Sequence, residues 1–210
     1  MKKFIYYILV ISLFFSACKK DEPREAVVAG VYDNSFVFHE FSSPLKVKLI
    51  LDLLTDNYIG NDSIDINRDG VYDLVISQRI HFPSPSGIPS WEQFPYYRLI
   101  LKNGLEVATK TESFPAGMGQ YRKIDWVNVF DYESSIDKIS EWSKSNTTQT
   151  MWAIPPITQA VSYGPWYDLT NAVKYIAIRM KIGNRYKLGW IKVSEISREN
   201  ILFISYAIEK

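Results

Sequence analysis

The sequence predicts a mainly β protein: one antiparallel, sandwich-like domain with a single short helix, behind an N-terminal leader. Three observations carry this. After Val31, apolar residues alternate with polar ones through most of the chain, the period of a half-buried strand. The last third reads as three strands joined by short turns, KYIAIRMKI, YKLGWIKV and ILFISYAIE, an antiparallel meander. The first 17 residues differ in kind: Lys2 and Lys3 precede a 12-residue apolar run, Phe4–Phe15. Such a run suits a secretory leader and falls short of the roughly 20 residues a membrane-spanning helix needs.

The elements follow in order. Ser35–Phe41 (SFVFHEF) and Lys46–Leu54 (KVKLILDLL) are rich in residues that favour strands. Tyr72–Phe82 alternates Leu74, Ile76 and Ile80 with polar neighbours. Arg98–Ala108 contains Asn103-Gly104, a hairpin signal because both residues tolerate positive φ. Ser134–Lys144 breaks the pattern, with Ile136, Ile139 and Trp142 spaced by three; a short amphipathic helix capped by Ser134 or Ser135 fits. Phe82–Pro95 carries four prolines and Ile154–Asp168 three, so both read as long loops. In the meander, Ile176, Ile178, Met180 and Ile182 share one face, and Leu188 and Trp190 oppose Ile191 and Val193. No repeat of 20–50 residues is present. The expected organisation is a leader over 1–17, a charged tether over 18–30 and one β-rich domain over 31–210.

Composition bounds the function. The chain is 47% apolar and 15% aromatic, and the 193 residues after position 17 suffice for one unstapled core. Cys18 is the only cysteine, so an exported chain has no internal disulfide. There are 24 basic and 23 acidic side chains, and loss of Lys2 and Lys3 leaves 22 against 23. A near-neutral domain without basic runs argues against a nucleic-acid partner.

Ser16, Ala17 and Cys18 resemble a bacterial lipoprotein box, with Phe15 where the common pattern has Leu. The resemblance implies cleavage before Cys18 and lipidation of its thiol, as by palmitate, leaving the membrane as a partner through the lipid anchor. Lys20, Asp21 and Glu22 resemble the export signal of Bacteroidota surface lipoproteins. That likeness implies the outer face of the outer membrane. The other readings are an ordinary secretory leader with a chance cysteine and a tether charged only for solubility.

The stretch DINRDGVYD, Asp65–Asp73, places Asp65, Asn67 and Asp69 at alternate positions before Gly70, then Val71 and Asp73. Calcium takes six to eight oxygens at roughly 2.3–2.6 Å. Carboxylate or amide oxygens of Asp65, Asn67, Asp69 and Asp73, with the Val71 carbonyl, could supply most of them, and Asp56 or Asp62 more. Ile76 stands where a helix-loop-helix site has its bidentate Glu. The stretch therefore resembles the DxNxDGxxD calcium loops that join strands in repeats of the FG-GAP type, present here in one copy. Calcium is favoured over zinc because no Cys or His is near, and its role would be structural. The alternative is an Asx-rich turn without an ion.

No nucleophile elbow, P-loop, HExxH or GxGxxG motif is present. His39 and His81, the only histidines, read as strand residues. Trp91, Tyr96 and Tyr97 in the first loop and Tyr163, Trp166 and Tyr167 in the second lie among prolines and glycines. Of these, Trp91, Tyr97, Trp166 and Tyr167 are the candidates for stacking on a glycan or a surface protein; the other reading is that they staple the loops to the domain.

DxNxDGxxD followed by KYIAIR, YKLGWIKVS and a closing SYAIEK is similar to small Bacteroidota lipoproteins of uncharacterised function, over less than a third of the mature chain. The expected function is a lipid-anchored, non-catalytic surface-binding or envelope module held by structural calcium. The alternative is a surface glycan-acting hydrolase whose carboxylates no local motif marks. Cys18→Ser should abolish acylation, read as the loss of the acyl mass from the intact protein.

Overall fold

The computed structural model describes residues 26–54, 57–81, 96–117, 120–137, 141–153, 164–167, 169, 172–197 and 200–210. Two large sheets face one another. One has seven strands in the order β3 (Ile50–Asp52), β4 (Asn57–Ile64), β5 (Leu74–His81), β6 (Tyr96–Leu101), β11 (Thr148–Ala153), β9 (Gln120–Val127) and β8 (Thr109–Gly117). The other has five, in the order β2 (Phe36–Leu45), β14 (Leu202–Glu209), β13 (Arg185–Ser194), β12 (Lys174–Ile182) and β7 (Leu105–Val107). A two-stranded ribbon of β1 (Ala26–Val28) and β10 (Ser135–Asp137) completes the strands described. Pairing is antiparallel except for one parallel register between β11 and β9, Thr150 opposite Trp126.

The main core lies between the two large sheets. Ile76, Leu99, Leu101 and Trp152 come from the seven-stranded side, and Ile176, Ile178, Ile191 and Phe203 from the five-stranded side. These strands form because β-branched and aromatic side chains pack well on a pleated surface. The five-stranded sheet is apolar on its outer face as well. Tyr175, Ala177, Leu188 and Trp190 there pack with Val27, Ala29 and Ile136 of the ribbon region, which is why Tyr175–Ile178 and Leu188–Ile191 are apolar on both faces. Against β13, β14 carries one extra residue between Phe203 and Ser205, which pair with the adjacent Val193 and Lys192. The extra residue lets Phe203 and Tyr206, three apart, enter the same core.

The meander of β12, β13 and β14 forms as expected, with Lys174 opposite Val193 and Gly189 opposite Ile208. Four expectations change. The described residues of Ser134–Lys144, 134–137 and 141–144, are not helical: Ile136 is buried opposite Val27 in the ribbon, and Trp142 forms a bridge with Ala108. An isolated helix of this length is marginal in water, and strand pairing claims Ile136 and Trp142 instead. Asn103-Gly104 does turn, with φ of 53° and 82° and the Leu105 N–H donating to the Lys102 carbonyl at 2.9 Å. Yet β6 and β7 join different sheets, so the turn is a crossover and not a hairpin. Lys46–Leu54 yields only the three residues of β3, because Lys46–Leu49 carries the chain from one sheet to the other. Lastly, Ala26–Val28, assigned to the tether, is a paired strand, and Val27 and Ala29 are buried. The rest of the expected leader and tether, the loop 82–95 and all of 154–163 lie outside the described residues.

The Gly-Trp-Ile strand has a steric basis. A Cβ on Gly189 would stand 2.2 Å from the Ala207 carbonyl oxygen and 2.9 Å from Ile208 Cα. Both are backbone atoms of the paired strand and cannot move alone. Gly189→Ala should therefore destabilise the protein by about 1–3 kcal/mol, read as a lower urea midpoint with an unchanged slope.

Candidate metal loop and aromatic positions

The DINRDGVYD stretch joins β4 to β5, so its flanks are strands, as expected. Its backbone is wound tightly, with Arg68 at φ 61° and Gly70 at φ 90°. No atom lies within 4 Å of where a Gly70 Cβ would be, so glycine serves the turn itself and not a close contact.

The loop's oxygens are turned onto its own N–H groups. Asp65 Oδ1 accepts the Asp69 N–H at 3.2 Å, and Asp65 Oδ2 accepts the Gly70 N–H at 2.8 Å. Asn67 Oδ1 accepts the same Asp69 N–H at 2.9 Å. Oxygens from Asp65 and Asn67 thus meet at one nitrogen. Asp69 Oδ1 accepts the Val71 N–H at 2.8 Å, and Asp69 Oδ2 accepts from Asn67 Nδ2 at 2.9 Å. Val71 itself is exposed.

Asp73 differs from the others because it is fully buried. Its Oδ2 accepts the N–H groups of Ile66 at 2.9 Å and Asn67 at 3.3 Å. Its Oδ1 has no hydrogen-bond partner. Burial pushes the carboxyl above its ordinary range, against the pull of those N–H groups and of the Asn103 amide; the Asp69 charge pushes the same way as burial. The Asn103 Nδ2 lies near the Asp73 carboxyl but donates to the Tyr72 carbonyl at 3.0 Å, and it makes no hydrogen bond to Oδ1. A buried acceptor in this state costs about 1–3 kcal/mol.

The fit to a cation is therefore partial. Asp65, Asn67, Asp69 and Asp73 lie on one wound loop, and Asp73 brings an unused buried oxygen. Among the described residues, however, no three Asp, Glu, His or Cys groups gather as a ready metal-holding set. An ion would require the carboxylates of Asp65, Asp69 and Asp73 to close on a common centre. Asp62 takes its own neighbour's N–H, from Ser63, at 2.8 Å; Asp56 lies outside the described residues.

Contacts from far along the chain bolt this loop to the other sheet. The Tyr206 hydroxyl of β14 donates to the Asp65 carbonyl at 3.0 Å. Arg68 Nη2 lies 2.5 Å from His39 Nδ1 of β2. A guanidinium has no acceptor, so His39 Nδ1 accepts and its proton sits on Nε2. The His39 ring also packs against Phe41 and Tyr206, at centroid separations of 5.0 and 5.2 Å. Tyr206 and His39 belong to no motif, and only the pairing of sheets brings them here.

The four aromatic candidates separate. Tyr97 is buried, stacked on Phe203 at 6.5 Å. Trp166 is buried, and its Nε1 donates to the Val127 carbonyl at 2.8 Å. These two are interior staples, which corrects their assignment to a ligand platform. Tyr167 is exposed, with its ring edge-on to Trp152 at 6.5 Å. Trp91 lies outside the described residues. Two residues before Trp166, Gly164 has φ 117° and no room for a Cβ, which would stand 2.4 Å from the Met151 carbonyl oxygen. The loop is pressed directly onto β11.

No family model matches this chain, and no curated protein or solved structure shows a significant similarity to it.

His39 gives a pH prediction. Burial, then the Arg68 charge, lowers its pKa below 6.5. Its contribution to stability is complete above that ordinary value and is lost as pH falls through the lowered one, when Nδ1 gains a proton facing the guanidinium. Melting temperature should fall in this window below pH 6.5, and His39→Gln should remove that part of the slope.

Proposed function

We propose that this chain is a lipid-anchored, non-catalytic module of the outer face of the outer membrane, stiffened by a structural calcium ion in the Asp65–Asp73 loop. The observation that carries the calcium is the buried Asp73 Oδ1, which lacks a partner beside the charge of Asp69. A divalent cation would supply that partner and relieve the repulsion among three carboxylates. Asp65, Asn67 and Asp69 would hold it with Asp73, and the Val71 carbonyl would complete the set. Hard oxygen donors without a Cys or His among them suit calcium.

The location rests on Cys18 and on Lys20, Asp21 and Glu22, which lie outside the described residues. The ion's role would be mechanical. The loop it stiffens belongs to the seven-stranded sheet and is bonded to β2 and β14 of the other, so occupancy would tie the two sheets together. Tyr167, exposed beside the packed 164–166 turn, is where a glycan or surface protein would meet the aromatic loops.

Chelation tests the ion. At millimolar calcium, a site of roughly 0.1–1 mM affinity adds on the order of 1 kcal/mol to stability. Excess chelator should lower the melting temperature accordingly, and Asp69→Ala should erase the calcium dependence. An unchanged melt on chelation rejects the ion.

A further inference from the structure

At one corner of the domain the seven-stranded sheet outruns its partner. Leu51, Tyr58 and Ile80 stand opposite one another on β3, β4 and β5. Ile80 lies four residues from Ile76 along β5, on the same side of the sheet, and Ile76 is in the main core. This row therefore continues the core-facing surface, but the five-stranded sheet does not cover it. Leu51 is 40% exposed and Tyr58 37%. With Lys46, Val47, Lys48 and Leu49 of the crossover, Tyr58 and Ile80 line a groove of about 550 Å³.

In the turn that follows β3, Leu53 is 81% exposed and Leu54 96%, whereas Ile50 alternates with Leu51 and faces the other side of the sheet. Isolated exposed leucines need no explanation, but an adjacent pair at the end of an edge strand does. Edge strands are usually guarded by charge. Here β3 reads Ile-Leu-Asp, and the Asp52 carboxylate accepts the Leu54 N–H at 3.0 Å. Lys46 and Lys48 are exposed and line the same groove as Tyr58 and Ile80. Exposed apolar side chains beside ammonium groups match a lipid surface, where carbon sinks below the headgroups and lysines meet phosphate.

We propose that this corner, Leu51, Leu53, Leu54 and Tyr58 with Lys46 and Lys48, seats the domain on an anionic lipid bilayer. The proposal builds on the lipid-anchored reading. Cys18 is eight residues before Ala26, where the described fold begins. Eight residues reach at most about 28 Å, so an acylated Cys18 would hold the domain close to the membrane. At the millimolar effective concentration of a short tether, a patch of weak intrinsic affinity is occupied. The contact would orient the domain and give the exposed corner a partner.

The test uses the chain from position 18 onward carrying Cys18→Ser, since all of the described core lies beyond Ala26. It is sedimented with vesicles of phosphatidylcholine containing about one-third phosphatidylglycerol, and with phosphatidylcholine alone. Binding is expected to the anionic vesicles and to weaken with salt. The double variant Lys46→Gln/Lys48→Gln should weaken it by about fivefold per lysine. Leu53→Ser/Leu54→Ser should remove it without lowering the melting temperature. The proposal is overturned by no binding to anionic vesicles, or by equal binding of the leucine double variant. It is also overturned if the chain is a dimer that the leucine variant makes monomeric without any vesicle binding, since the corner then joins two copies. Slow hydrogen exchange at Leu53 and Leu54 without lipid would show that the chain covers the corner itself, again overturning it. Failure of the anchor appears separately, as an unacylated Cys18 in the native chain, and leaves the vesicle result standing.

Discussion

Ile76, Leu99 and Trp152 on one sheet press against Ile178, Ile191 and Phe203 on the other, and the remaining features lean on that contact. With a single cysteine, the chain cannot cross-link itself internally. Apolar burial across the sheets is the dominant favourable term. The bulge in β14 against β13 follows from it, because Phe203 and Tyr206 can share the core only if the register slips between them. So does the second apolar layer. Once the inner face of the five-stranded sheet is committed, the Trp190 and Tyr175 face needs its own cover, which β1 and β10 provide.

The acidic loop depends on the same contact. Its local winding comes from Asx-type bonds within nine residues, but its position comes from Tyr206 and His39 on the opposite sheet. Asp73 sits where these two levels meet. As the last residue of the loop, next to the first residue of β5, it is buried by the sheet, while its Oδ2 is held by loop N–H groups. Burying a carboxylate is costly unless it is compensated, and two N–H donors on one oxygen compensate half of it. The unused oxygen is what distinguishes this loop from a polar turn closed on itself.

Much of the architecture was legible in residue patterns. Alternation in KYIAIRMKI and YKLGWIKV assigned β12 and β13 and their two faces, because the strand period of two is a property of the backbone. The strands flanking Asp65–Asp73 were legible for the same reason. The assignments that failed were those whose partner lay elsewhere. Asn103-Gly104 specifies a tight reversal, and it makes one, but a turn cannot choose which sheet its second strand joins. Ile136 and Trp142 have helical spacing, yet Val27 and Ala108 offered them strand partners. Tyr97 and Trp166 looked like loop aromatics because prolines and glycines surround them. Burial of Tyr97 against Phe203 depends on a strand more than a hundred residues away.

By itself the sequence determined the class of fold, the acidic loop with its positive-φ glycine, and the meander. Each is encoded within a dozen neighbouring residues, where backbone geometry and side-chain chemistry act directly. Only the tertiary structure decided that Asp73 is buried with one oxygen unused, that Tyr206 and His39 brace the loop, that two of the chosen aromatics belong to the interior, and that an apolar corner at Leu51–Leu54 is left uncovered. These properties come from residues brought together by sheet packing, and no local pattern records which distant strand will supply them.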